Sequence, residues 1–361
     1  MKKILIIGPF PEPTTGVSLA NRVFYENLPK ENFKVDAINT SYTRFDESLG
    51  SFSFHKILFY LKMNFSIFKV FNNDTIYLTP GQTFFGVVKY ALFILLAKLL
   101  KKEIIVHVHG NYLGKEYETL KGLKKKIFKK LLRCSSKGIV LSESLKDNMT
   151  RFLPENQIFS VYNFVEDYLF VDSSLIKEKL ENKTPRIIFL SNLMDEKGIL
   201  YLLQALLDLE REGFEYEAKI AGNIDPKNKA RIENYFKQLK KTEYCGIVSG
   251  NDKKSLLLWG NIFILPTYYS MEGQPISILE GMATANLILT TEHSGIPDIF
   301  SDRINGFYVD KKSSESIKNK IKYSSLSFRE ANEMRYTNYC TAKDNYRVRS
   351  FIDSIIEVIK A

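Results

Sequence analysis

Three cysteines, Cys134, Cys245 and Cys340, are all that 361 residues contain, and none stand at metal-knuckle spacing. That argues against a disulfide framework and fits a reducing, cytoplasmic setting. There are only four histidines, and no Asp-x-Asp occurs. The sequence therefore offers no obvious ligand set for a zinc ion or for a metal held on a diphosphate. No apolar run approaches the roughly 20 residues of a spanning helix. The opening Met1-Lys2-Lys3-Ile4-Leu5-Ile6-Ile7-Gly8-Pro9 has an apolar run of four residues. A signal-peptide core needs about 7–15, so a first buried strand is expected instead.

What is present supports folded domains. Hydrophobic residues make up 45% of the chain, which rules out disorder, and the length suits about two domains. The net charge of +10 admits nucleic acid, an anionic membrane surface or acidic ligands as partners. It is concentrated in Lys115–Lys137, with nine basic and two acidic side chains. Leu120, Leu123, Ile127 and Leu131 recur there at helical spacing, which predicts one buried face. The lysines at 121, 124, 125, 126, 129 and 130 would then be either simply solvated or set against anionic lipid headgroups. Phe84–Leu100 is strongly apolar but interrupted by Lys89 and Lys98. It reads as a buried crossover helix, with a membrane-dipping helix as the alternative.

Short apolar runs alternate with longer amphipathic ones. Strands are expected at Ile4–Ile7, Lys34–Ile38, Thr75–Leu78, Ile104–His109, Gly138–Leu141 and Ile158–Val161, with helices at Val17–Leu28 and His55–Phe71. Glu166–Thr184 is polar and reads as a domain boundary. The pattern then restarts, with strands at Arg186–Leu190, Glu217–Ala221, Tyr244–Val248, Ile262–Leu265 and Leu287–Thr290. Helices are expected at Ile199–Glu210, Asn228–Lys240 and Pro275–Thr284. Such alternation predicts two doubly wound parallel sheets, whose ligands lie beyond the C-terminal strand ends.

Four strand ends carry candidate chemistry. Gly16 and Val17 stand where a helix should begin, offering free N–H groups to an anion. The loop lacks the Gly-x-Gly-x-x-Gly of a dinucleotide site, which disfavours a dehydrogenase. His107 and His109 share one side of a strand. His109 comes last, before Gly110, and is the one expected to line a site. Lys197 and Gly198 precede a helix, where a lysine can neutralise phosphate. Glu272 and Glu280 flank a helix start, so they cannot share one helix face and are a poor glycosidase pair. Glu280, inside the helix, could accept two hydrogen bonds from a vicinal diol. Glu272, Gly273 and Gln274 could present a loop to a ligand.

Taken together, Glu272-x7-Glu280, the Lys197-Gly198 turn and the run HSGIPDIFSDRINGFYV from His293 to Val309 resemble family 4 glycosyltransferases. These are retaining, nucleotide-sugar-dependent enzymes of the GT-B fold. The resemblance covers nearly the whole chain and is densest from Pro185 to Asp310. It implies an α/β architecture of two Rossmann-like domains facing each other across a cleft. Residues 1–167 would bind the acceptor, 168–338 would bind the donor, and the helix 339–361 would pack back toward the first domain. The donor implied is a nucleotide-sugar, UDP-sugar foremost. The acceptor implied is a glycan or polyprenyl-diphosphate-linked sugar, in bacterial-type surface polysaccharide synthesis.

By that resemblance Glu280 binds the ribose, and Glu272 lies near the donor sugar with Gly273, Gln274, Pro275 and Ile276 beside it. Lys197 holds the diphosphate, which Gly16 and Val17 approach from the other domain. His109 lies near the transferred sugar, so the catalytic set is Glu272, His109 and Lys197, with no metal or further cofactor. One departure stands out. The family often has Gly-Arg-Leu where this chain has Ser191-Asn192-Leu193, so Asn192 brings no charge to the phosphates. Lys197, backbone N–H groups or Arg22 would have to compensate. A nucleotide-sugar 2-epimerase shares the fold. A basic nucleic-acid-binding protein is the alternative from another class, but no helix-turn-helix, zinc or RNP-like motif supports it.

Overall fold

The computed structural model describes residues 1–41, 59 and 63–361. The chain divides into two compact units. The first comprises Met1–Asn163, Met271–Gln274 and Phe351–Ala361; the second comprises Phe164–Ser270 and Pro275–Ser350.

In the first unit β1 (Lys3–Gly8), β2 (Lys34–Asn39), β3 (Thr75–Leu78), β4 (Glu103–Val108), β5 (Lys137–Val140) and β6 (Ile158–Ser160) form a sheet in the order β2-β1-β3-β4-β5-β6. Every pairing is parallel. Ile4 to Ile7 are wholly buried, because a parallel strand covered on both faces is apolar at every position. Strand order reverses at β1. Right-handed crossovers therefore put helix Gly16–Asn27 on one face and the helices of the later crossovers on the other. Helix Gly16–Asn27 begins with a reciprocal cap. The Thr15 hydroxyl accepts from the Ser18 N–H at 3.2 Å, and the Ser18 hydroxyl accepts from the Thr15 N–H at 2.7 Å.

Two expectations change here. Phe84–Leu100 is two helices, Phe84–Val88 and Ala91–Leu99, not one. Between them Tyr90 is wholly buried, its hydroxyl 3.1 Å from that of Thr40 and donating to the Thr79 carbonyl at 3.3 Å. A buried phenol must find partners, and the chain bends where it finds them. The basic segment is also split, into Leu113–Thr119 and Gly122–Leu132. Leu120 is extended and Gly122 has a φ of 55°, which resets the helical phase. Phe128, Leu131 and Leu132 take the core, while Leu123 and Ile127 point outward. The helical reading of His55–Phe71 lies partly outside the described residues, and Phe65–Val70 is a 3-10 helix.

In the second unit β7 (Arg186–Leu190), β8 (Glu217–Ala221), β9 (Thr242–Gly246), β10 (Ile262–Leu265), β11 (Leu287–Thr290) and β12 (Gly306–Tyr308) are ordered β12-β11-β10-β7-β8-β9. This sheet too is parallel throughout. Its order reverses between β7 and β10, the place where such sheets hold ligands. β9 ends two residues earlier than expected, at Gly246 with a φ of 68°. The polar stretch 166–184 carries a helix, Ser173–Glu181. Its Lys179 donates to the carbonyls of Leu257, at 2.8 Å, and of Thr284. Arg335, from helix Phe328–Asn345, donates to the Lys179 carbonyl at 2.9 Å. Thr284 caps the C-terminus of helix Ile276–Ala283, so the half-buried Lys179 and the buried Arg335 anchor that helix from behind.

Candidate functional site

In the second unit the ends of β7 and β10 lie side by side. After β7 the chain makes a short 3-10 turn, Asp195–Lys197, and enters helix Ile199–Arg211 through Gly198. Gly198 has a φ of 81°, and a Cβ there would lie 2.4 Å from the Pro266 carbonyl oxygen. Only glycine meets both demands. The close approach fixes Lys197 against the loop after β10, where its Nζ lies 5.3 Å from the centre of the Tyr269 ring. That loop is held further by His293, whose Nε2 donates to the Tyr269 carbonyl at 2.8 Å. Asn192 is exposed just beyond β7.

Helix Ile276–Ala283 follows the same loop, with Pro275 at its N-cap and Ile276 as its first residue. Glu280, in its second turn, is buried. Lys253, from helix Gly250–Trp259, donates to it at 2.6 Å and to Glu166 at 3.2 Å. Burial raises the Glu280 pKa, and the Lys253 charge works the other way. Burial opposes the charge on Lys253, but Glu280 and then Glu166 outweigh it and raise its pKa. Lys253 escaped sequence reasoning because nothing around Asn251-Asp252-Lys253-Lys254 marks one lysine as inward. The only hint was that a buried Glu280 needs a cation.

In the first unit, His107 lies near the end of β4 and His109 just beyond it, their rings tilted by 33° with centroids 4.0 Å apart. His107 is buried, its Nδ1 2.5 Å from the Tyr77 hydroxyl. His109 is half-buried. Neither of its ring nitrogens has a hydrogen-bond partner among the described residues, and both are sealed from solvent. Burial pushes its pKa down to about 3. Burial, and then the neighbouring His109, also drive His107 well below the ordinary imidazole range.

Residues 271–274 pack beside His109. A Cβ on Gly273 would lie 3.0 Å from the His109 carbonyl oxygen and 2.7 Å from a Leu141 methyl. Gln274 is locked in place: its side-chain oxygen accepts from the Asn163 N–H at 2.6 Å, and its Nε2 donates to the Leu141 carbonyl at 3.2 Å. Gln82 donates to the Met271 carbonyl at 3.1 Å. Glu272 is buried in this loop. The first unit thus brings together His109, Glu272, Gly273 and Gln274, and it uses the Gln274 carboxamide for its own structure. Gly16 and Val17 open helix Gly16–Asn27 after β1, and the Thr15–Ser18 cap leaves their N–H groups without a partner among the described residues. Among the described residues no group of three or more His, Cys, Asp or Glu could hold a metal ion.

Residues 172–339 match the family of glycosyl transferases, group 1. The uncharacterized glycosyltransferase MJ1607 of Methanocaldococcus jannaschii is 28% identical over 199 residues, 51% of this chain and 49% of that protein. The capsular polysaccharide biosynthesis glycosyltransferase CapM of Staphylococcus aureus is 26% identical over 222 residues, 58% of either chain. The matches thus span about half the length of these curated relatives. Among solved structures, Anabaena HepE in complex with UDP superposes with a TM-score of 0.75 at 14% identity, covering 100% of both chains. At that identity the likeness speaks for the fold. The chain therefore has the GT-B fold, and its residues 172–339 are similar to the group 1 glycosyl transferases.

Proposed function

We propose that the chain is a retaining glycosyltransferase. It would move a hexosyl group from a UDP-sugar to a glycan or polyprenyl-diphosphate-linked acceptor in surface polysaccharide synthesis. The observation that carries this reading is in the second unit. A fixed lysine and a helix N-terminus stand at the end of β7, and a buried carboxylate follows the adjacent β10. A nucleoside diphosphate asks for that combination: a cation for the phosphates and a carboxylate for the ribose diol. HepE, of the same fold, has been solved with UDP and with UDP-glucose. CapM's role in capsular polysaccharide synthesis supports the acceptor class.

As the glycosidic bond breaks, its electron pair moves onto the diphosphate oxygen. Lys197 and the N-terminus of helix Ile199–Arg211 stabilise that growing charge. Asn192 brings no charge, so the load falls on Lys197 and on backbone N–H groups. The acceptor attacks from the face the donor leaves, and the departing phosphate takes its proton, so no side-chain base is required. His109 stays neutral at ordinary pH, and its ring nitrogens, sealed as they stand, would meet a sugar hydroxyl only after the ring turns. Glu272 and the 273–276 backbone complete the donor contacts. A lipid-linked acceptor would be met at the inner face of the cell membrane, with the basic helix Gly122–Leu132 toward anionic headgroups. No helix among the described residues is long and apolar enough to span a bilayer.

The test is calorimetric titration of UDP and UDP-sugars, with mass spectrometry of products formed on oligosaccharide acceptors. Glu280→Ala should weaken UDP binding about 10- to 150-fold, the worth of hydrogen bonds to a charged group. Equal UDP affinity in the variant would remove Glu280 from the ribose. Conversion of the donor to its C2 epimer without transfer would replace the transferase reading.

A further inference from the structure

Helix Ala91–Leu99 is apolar on both sides. Phe93, Ile94 and Ala97 are buried in the core, as a crossover helix requires. Its outer positions should then be polar, yet Leu92, Leu95 and Leu99 are 52%, 45% and 78% exposed. Their spacing places them on one outward face. The neighbouring elements continue it. Phe65–Val70 packs against this helix and presents Phe65 and Phe68 to solvent. Helix Phe84–Val88 presents Phe85 and packs against helix Gly122–Leu132, which presents Leu123. The crossovers carrying these segments all run the same way along the sheet, so they lie in one layer of the first unit.

These exposed segments carry charge of one sign, with Glu116 of helix Leu113–Thr119 set against them, its carboxylate accepting from the Phe84 N–H at 2.7 Å. Residues 65–71, 84–102 and 121–133 contain twelve lysines and arginines and no aspartate or glutamate. Basic and apolar groups interleave. Lys124 Nζ lies 5.7 Å from the centre of the Phe84 ring, and Lys102 Nζ donates to the Phe71 carbonyl at 3.3 Å. A second copy of the same face would bring like charges together. A nucleic acid would satisfy the lysines but leave the leucines in water, since its bases stack on aromatic rings. An anionic bilayer satisfies both, because lysine stems run along apolar surface while their ammonium groups reach the headgroup phosphates.

We infer that this helical layer is a bilayer-embedding face. It seats Leu92, Leu95, Leu99 and Phe85 among the acyl chains, with its lysines on anionic headgroups. Attachment is then part hydrophobic and does not reduce to the basic helix alone. The inference does not depend on the transferase reading, since its test reads lipid and not sugar.

The experiment is flotation of the full chain with phosphatidylglycerol–phosphatidylcholine vesicles and with phosphatidylcholine vesicles, at low and at high salt. The wild-type chain should float with the anionic vesicles and keep part of that binding in high salt. L92Q/L95Q/L99Q alters only exposed side chains and should leave the melting temperature in place. It should reduce partitioning at least tenfold per leucine inserted, on the order of one buried side chain's transfer free energy each. The single variant L99Q reports the same effect should the triple variant fold poorly. K124E/K126E/K130E should lose low-salt binding by about fivefold or more per residue. Absence of flotation by the wild type would overturn the inference, as would leucine variants that bind like wild type. Lipid-free dimers abolished by L92Q/L95Q/L99Q would also overturn it, in favour of self-association.

Discussion

The paired histidines at the end of β4 make stability depend on pH in a defined direction. His109 has its pKa pushed down to about 3 by burial, against 6.5 for a free imidazole. His107 is lowered in the same direction, by burial and then by His109. The unfolded chain therefore takes up protons before the folded one does. The stability contributed is complete above the unfolded value and is lost as pH falls toward the folded value. Each pH unit in that window removes about 1.4 kcal/mol per histidine. From about pH 6.5 to about pH 5, His109 alone then loses roughly 2 kcal/mol. For a unit of this size that is on the order of 4–8 °C in melting temperature. The assay is a melting series across that range for the wild type and for His109→Asn. The slope with pH is the readout, independent of the level at which each variant starts, and carboxylate titrations common to both cancel. The variant should be flatter by about the stated amount. Parallel curves would refute the reasoning, as would an imidazole proton resonance of His109 titrating near the free value.

Lys253→Met strips a buried partner from Glu280 and should cost about 3–5 kcal/mol; the double variant K253M/E280M should recover much of it, and calorimetric melting would show whether it does. Lys197→Ala should lower turnover far more than donor affinity, because the charge it faces grows in the transition state; steady-state kinetics with a raised Michaelis constant and unchanged turnover would contradict that. Gly198→Ala should destabilise by at least about 1–2 kcal/mol from the left-handed backbone alone, with the Pro266 contact adding to it, and a melting temperature equal to wild type would show that the turn relaxes.

The sequence by itself determined most of the sheets. Thr75–Leu78, Arg186–Leu190, Ile262–Leu265 and Leu287–Thr290 are strands residue for residue. A doubly covered parallel strand must be apolar throughout, and glycine, proline and polar loops punctuate it, so both signals are local. The Lys197-Gly198 turn and the helix bearing Glu280 were legible for the same reason. Tertiary structure decided what depends on distant partners. The break at Tyr90 follows from hydroxyl contacts with Thr40 and Thr79. The outward turn of Leu123 follows from the phase set at Gly122 and from Phe128 filling the core. Lys253 reaches Glu280 across 27 residues, and Gln274 reaches Leu141 across 133. Periodicity records which side of an element is apolar, but it carries no record of which polar atoms meet once the elements pack. Those meetings were visible only in the folded chain, because hydrogen-bond and ion-pair partners are chosen by distance in space and not along the sequence.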